Sequence, residues 1–411
     1  MLVLRPGLRT NSPSGKCHPL KFLAAIGAGA AALLASTAHA GPYSQSAGRS
    51  CNGYASLNIP SSPGTCISLI ASDIGFPRGV VSLSDTQVLV ADMGSWERGR
   101  GRLLLIDLSP TGDAPKITVL LSRLDRPHGL ARGPDGRLWL GEATRISEVK
   151  IDSNRAQLTP VMTDAPGAGR HPLIGLAVMN NGRIAFSTGS ASDDCDGNMV
   201  AGICQEGIGP QARAAIRVFT PGSTPLKWKE IAPYATGLRN SAALAYDPLT
   251  EVLWAGENGM DIASPLLPPD ELNKIEAGKN YGWPACYGMA VRARGFAASS
   301  CRGTAVPARN LPAHSAPLGI TILDSGVGRL GRALAITYHG YQPTGHRITL
   351  IPINARGDLA GQSRDIVFGW NAARGIRPTG TPVGITPAPG GGLYVTEDGN
   401  GTLLRISMRL E

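Results

Sequence analysis

One pattern returns six times along this chain: a turn leading to Gly, an apolar run, a second turn, a second apolar run, and an acidic or polar residue beside Gly. The clearest copies run from Phe76-Pro77-Arg78-Gly79 to Ala91-Asp92, from Arg126-Pro127-His128-Gly129 to Gly141-Glu142, and from Thr381-Pro382-Val383-Gly384 to Glu397-Asp398-Gly399. Weaker copies cover residues 171–189, 237–259 and 316–340. Anchored at Gly79, Gly129, Gly175, Ala243, Gly319 and Gly384, the steps between copies are 50, 46, 68, 76 and 65 residues. A four-stranded propeller blade takes about 40–50 residues, so the longer steps carry long loops. The repeat predicts an all-β, six-bladed β-propeller with decorating loops. The 53 Gly and 32 Pro suit many short strands joined by turns. No 3.6-residue apolar period persists beyond the first forty residues, which argues against a helical bundle or a doubly wound sheet.

Residues 1–40 read as an export signal: Arg5, Arg9, Lys16 and Lys21 precede an apolar stretch from Phe22 to Ala35, and Ala38-His39-Ala40 offers small residues for cleavage. The stretch is short and rich in Ala and Gly for a membrane span, and no other long apolar run exists, so the expectation is a periplasmic or secreted chain with no stable span after processing. Removing those four basic residues takes the formal net charge from +9 to about +5. The remaining Lys and Arg are scattered, which argues against nucleic acid as a partner. Residues 41–70 are expected to form an N-terminal arm and 71–411 one propeller.

Beyond Cys17 in the leader, six cysteines fall into near neighbours, Cys51 with Cys66, Cys195 with Cys204 and Cys286 with Cys301. An even count after an export signal reads as disulfides, and pairing within each neighbour set is expected among the 15 possible connectivities. Zinc is a poor alternative, because no pair has CxxC spacing.

In each repeat the residue before the Gly and the residue ending the second strand are expected to share the mouth of the central channel. Arg78, Asp92, His128, Glu142, His171, Thr188, Arg239, Asn240, Glu257, Asn258, His314, His339, Glu397 and Asp398 meet that rule. Such a polar, titratable mouth is where a propeller would place an active site.

Gly237-Leu238-Arg239-Asn240, Glu257-Asn258-Gly259, Pro268-Pro269-Asp270-Glu271-Leu272-Asn273 and Asn280-Tyr281-Gly282-Trp283-Pro284 together resemble the soluble glucose/sorbosone dehydrogenase family, six-bladed propellers that bind pyrroloquinoline quinone (PQQ) with Ca²⁺. Pro127-His128-Gly129, His171 with Ser187-Thr188-Gly189-Ser190, and His314 through Gly319 extend the resemblance over most of residues 70–405. It implies an exported quinoprotein that oxidises a sugar-type alcohol or aldehyde, or a polyol, and passes electrons to an external acceptor.

Position by position, the resemblance makes His171 the catalytic base, with His128 a channel-lining alternative, and Arg239 and Asn240 the pair contacting the quinone. Gly259 and Met260 match positions whose backbone carbonyls hold the cofactor calcium, and Glu271 and Tyr281 a second calcium region. The chemistry suits these types: imidazole takes a hydroxyl proton near neutral pH, guanidinium or a metal faces the charge gained by the quinone, and oxygen ligands suit Ca²⁺. The chain departs from the family where His339-Gly340 is followed by Tyr341-Gln342-Pro343-Thr344 in place of a Lys, and where Thr381 stands in place of an Arg. Arg377 is expected to substitute from the preceding loop, and Arg347 is a more distant cation. Two other readings are open: a propeller hydrolase of the lactonase type, using Glu142, Glu257, Glu397 and Asp398 around a metal, and a non-catalytic glycan- or protein-binding propeller.

Overall fold

The computed structural model describes residues 41–108, 112–296, 299–324, 330–371 and 379–408. The leader expected over residues 1–40, and Arg377, lie outside them. The innermost strands of the blades are Pro77–Ser82, Leu130–Arg132, Leu176–Val178, Ala243–Asp247, Pro317–Leu323 and Pro382–Pro387. Each begins at or beside one of the repeat anchors. Each continues outward through antiparallel neighbours, for example Pro317–Leu323, Ala333–Tyr338, Arg347–Pro352 and Arg364–Val367 in the fifth blade. The innermost strands touch their successors around the whole ring, and the sixth packs on the first. The expected six-bladed propeller is thus present.

The arm expected over residues 41–70 ends inside the sixth blade. Thr65–Ala71 pairs with Thr402–Met408, and Tyr54–Leu57 and Gln45–Cys51 extend the same sheet outward. One blade is therefore built from both ends of the described chain, which closes the ring by hydrogen bonds rather than by contact alone. All three disulfides join the near neighbours as expected: Cys51–Cys66, Cys195–Cys204 and Cys286–Cys301.

The Gly repeat has a steric cause. A Cβ on Gly79 would lie 2.4 Å from the His128 carbonyl, one on Gly129 2.5 Å from that of Ile174, and one on Gly175 2.1 Å from that of Ala242. The series continues with Gly319 against Val383 and ends with Gly384 against the Arg78 carbonyl, which returns to the first blade. Every one of these glycines lets its strand approach the backbone of the next blade around the channel. Hydroxyls reinforce the approach: Thr337 Oγ1 donates to the Val383 carbonyl and Thr396 Oγ1 to the Arg78 carbonyl, each at 2.6 Å.

Between blades lie separate apolar clusters. Trp139, Ile146, Ile174, Phe186 and Trp228 fill the space between blades two and three, and Trp254, Leu272, Ile320, Leu334 and Ile336 that between four and five. Sheet faces on both sides of an interface contribute to each cluster, as expected for blades packed face to face.

Candidate active site

The channel mouth opens into a cavity of about 740 Å³ whose wall includes His171, Arg239, Asn240, Asn258, Gly259, His314 and His339. A neighbouring cavity of about 400 Å³ shares His171, Asn240, Asn258 and His339 and adds Arg78, Arg170 and Asp398. Both volumes fall in the usual range for small-molecule clefts.

His171 comes from the turn before the third inner strand. Its Nδ1 lies 2.9 Å from Ser190 Oγ, a residue just past the end of the paired strand, and that contact orients the ring toward the cavity. Burial first, then the guanidinium groups of Arg239 and Arg170, hold the imidazole down at about 3, so the ring is neutral.

Arg239 is almost fully buried. Its Nη1 donates to the Asn258 carbonyl (3.1 Å), its Nε to the Asp193 carbonyl (3.2 Å), and its Nη2 to Asp193 Oδ1 (2.5 Å). Asp193 sits beside the loop closed by Cys195–Cys204 and also accepts from the Asp261 backbone N–H, while Asp261 pairs with Arg170. Asn240 follows Arg239 with its side chain at the wall of both cavities.

A second network crosses from blade two to blade six. Arg78 Nε donates to His128 Nδ1 (3.1 Å), Arg78 Nη1 pairs with Asp398, and Asp398 Oδ1 lies 3.0 Å from His339 Nε2. Thr381 Oγ1 also donates to Asp398 (2.7 Å). Burial raises the Asp398 carboxyl, but the charges of His339 and Arg78 outweigh it and hold the group well below the usual carboxylate range. His128 is buried behind this network, away from both cavities, and burial followed by Arg78 keeps its ring down at about 3. Its contact with the site is the hydrogen bond it accepts from Arg78.

Gly259, Met260, Glu271 and Tyr281 meet around one small cavity of about 20 Å³, room for a water or a single ion. Glu257 lies opposite Glu271 across the strand pair and lines the same cavity. Burial pushes Glu271 up to about 7 and Glu257 up to about 8; the charge of Arg239 offsets this only in part at Glu257. Glu271 accepts from the Gly288 N–H (2.6 Å) and Asn273 Nδ2 (3.0 Å). The Tyr281 hydroxyl donates to the Lys274 carbonyl. Among the described residues no three His, Cys, Asp or Glu side chains cluster for metal binding.

The acidic residues that end the second strands do not converge on the mouth as the repeat rule expects. Asp92 accepts from the Phe76 N–H, Glu142 from the Asp125 N–H, Glu257 from the Asn240 N–H and Glu397 from the Thr381 N–H, at 2.8–3.0 Å. In all four blades the carboxylate turns back to brace the loop entering its own inner strand. Of the acids named for a lactonase-type centre, only Asp398 lines the mouth. Arg347, the more distant cation, is committed to Asp365 (2.7 Å), and Thr381 is buried between Glu397 and Asp398. Arg78 and Arg170 supply positive charge at the wall instead. Arg78 is signalled by its place in Pro77-Arg78-Gly79, equivalent to Pro127-His128-Gly129, whereas nothing in the sequence marks Asp193.

Residues 139–298 carry His171, Arg239, Asn240, Gly259 and the small carboxylate cavity. They match the glucose/sorbosone dehydrogenase family. The matched segment runs from the second blade through the fourth and contains the block that carries the sequence resemblance. An uncharacterized protein of Borreliella burgdorferi is 23% identical over 345 residues, covering 80% of this chain and 85% of its own. The calcium structure of a Trichoderma reesei carbohydrate-active enzyme of family AA12 superposes with a TM-score of 0.70 at 19% identity, covering 85% of this chain and 97% of that one. The holo form of the pyranose dehydrogenase PQQ domain from Coprinopsis cinerea gives 0.68 at 19% identity, with 85% and 97% covered. These two structures share the propeller fold.

Proposed function

We propose that this chain is an exported, sugar-oxidising quinoprotein that works with PQQ and Ca²⁺ and hands electrons to an external acceptor. The observation that carries the reading is the meeting of His171, Arg239, Asn240 and Gly259 at one cavity, because these come from separate loops and are the positions the family resemblance assigns to base, quinone contact and cation. The chemistry of the wall suits a planar polyanion: Arg239, Arg170 and Arg78 are guanidiniums beside the space, and Asn240 adds an amide. Each guanidinium already has a carboxylate partner, so a divalent cation is needed to complete the charge balance. The backbone carbonyls of Gly259 and Met260 would supply oxygen ligands for it, and the Glu271–Tyr281 cavity would take a second Ca²⁺.

PQQ, when bound, supplies the two-electron acceptor. His171, neutral and held by Ser190, takes the substrate hydroxyl proton at Nε2. Arg239 presents donors where negative charge would develop, its orientation fixed by Asn258 and Asp193 so that little reorganisation is needed, and Asn240 lines the same cavity. Arg78 and Asp398 hold His339 in one orientation on the opposite wall.

The test is to purify the mature chain without cofactor, add PQQ and Ca²⁺ separately and together, and follow thermal stability and dye reduction with aldoses and polyols. Joint stabilisation with substrate-dependent reduction is the expected result. No stabilisation by PQQ at saturating Ca²⁺ would overturn the reading.

A further inference from the structure

Two large aromatic side chains stand exposed at the rim of the 400 Å³ cavity, Trp96 at 56% and Tyr341 at 60% exposure. They come from blades one and five. Deep in the same cavity the groups are polar and buried: Asn258, His339 and Asp398 are 7%, 8% and 3% exposed.

Neither aromatic sits on a loose loop. The loop carrying Trp96 is fastened by Gly94 N–H to Asp92 Oδ1 (2.8 Å), Ser95 N–H to the Met93 carbonyl (2.7 Å), and Arg98 to Asp125 on the next blade (3.1 Å). A Cβ on Gly94 would come within 2.3 Å of the Arg100 carbonyl, so the loop closes tightly on itself. Tyr341 stacks edgewise on His339 at 5.3 Å, and its loop is held by Thr344 Oγ1 to the Ala313 carbonyl (2.7 Å). Exposing a Trp on a loop this well tied gives no folding advantage, and the aromatic surface is available for a ligand.

A polar floor beneath a pair of rigid aromatics is the arrangement that a pyranose chain requires. Hydroxyls of the ring at the floor find donors and acceptors, while the apolar C–H face of the next ring lies against aromatic surface. The depth difference separates the two roles: a ring whose hydroxyl reaches His171 or His339 fills the floor, so Trp96 and Tyr341 meet the ring that follows. We propose that Trp96 and Tyr341 form a second-ring subsite, and that the preferred substrate is a disaccharide or longer saccharide oxidised at one terminal residue. This deepens the sugar-oxidising reading and rests on it for the reaction, though not for binding.

The experiment measures affinity by calorimetric titration of the mature chain with cellobiose, maltose, glucose and benzyl alcohol, with and without PQQ and Ca²⁺. A disaccharide is expected to bind about three- to tenfold tighter than glucose, the increment of one aromatic contact. Trp96→Ala and Tyr341→Ala should each erase most of that ratio, and Trp96→Phe should keep part of it, with melting temperatures near that of the parent because both side chains are exposed. Equal affinity for disaccharide and glucose in the parent, or a ratio unmoved in both alanine variants, overturns the subsite. So does Trp96-dependent binding of benzyl alcohol without saccharide binding. The two readings fail separately: dye reduction with glucose but no disaccharide advantage removes the subsite alone, and a Trp96-dependent disaccharide advantage without PQQ-dependent dye reduction removes the quinoprotein reading alone.

Discussion

Asp193 Oδ1 lies 2.5 Å from Nη2 of Arg239, although 46 residues separate them, and the carboxylate covers one edge of the guanidinium that faces the mouth. A carboxylate-bearing ligand must share or displace that contact. Asp193→Asn is expected to raise the affinity of the mature chain for PQQ by about fivefold, the effect of one partly screened charge near 1 kcal/mol. Titration followed by the cofactor's absorbance measures it, and a fall in affinity would mean that Asp193 helps bind the cation instead. Arg239→Ala should act oppositely and more severely, because it leaves Asp193 without its buried partner.

His171→Ala should lower kcat by about 10²–10⁴, the usual contribution of a positioned base, with a smaller change in KM. The check is steady-state dye reduction alongside His339→Ala. A larger loss in the His339 variant would move the base to the imidazole held by Asp398.

The part of stability that depends on His128 and His171 should fall as the medium is acidified, while Glu257 and Glu271, raised to about 8 and 7, contribute with the opposite sign. His128 and His171 are each held down at about 3 in the folded chain, against an ordinary value of 6.5. Between those limits the unfolded chain takes up protons that the folded chain refuses, so stability present above pH 6.5 is lost as pH falls toward 3. Denaturant unfolding at steps of pH tests this, and ring resonances of both histidines should show no protonation near pH 5.

Gly129→Ala places a Cβ 2.5 Å from the Ile174 carbonyl on the next blade, where only backbone movement gives relief. The expected loss is about 1–3 kcal/mol, a drop of a few degrees in melting temperature. Gly197→Ala meets no neighbour but has φ of +76°, so it probes backbone conformation at a rim loop without that clash.

The blade count was legible because its cause is local and repeated. Every inner-strand Gly answers to the same carbonyl of the next blade, so the spacing of Gly79, Gly129, Gly175, Gly319 and Gly384 reports the ring directly. The disulfides were legible for a related reason, since each joins cysteines separated by 15, 9 and 15 residues around one loop. His171, Arg239, Asn240 and Gly259 could be named from motifs that lie within single turns.

What the tertiary structure alone decided is direction and partnership across blades. Glu142, Glu257 and Glu397 occupy the repeat positions of mouth residues, yet backbone N–H groups in their own blades draw them away from it. Arg78 meets Asp398 from 320 residues away and Trp96 shares a cavity with Tyr341 only because six blades turn about one axis and Thr65–Ala71 closes the last of them. Strand alternation and turn chemistry are written residue by residue, whereas the convergence of loop ends depends on the rotation accumulated from blade to blade, which no single stretch of sequence contains.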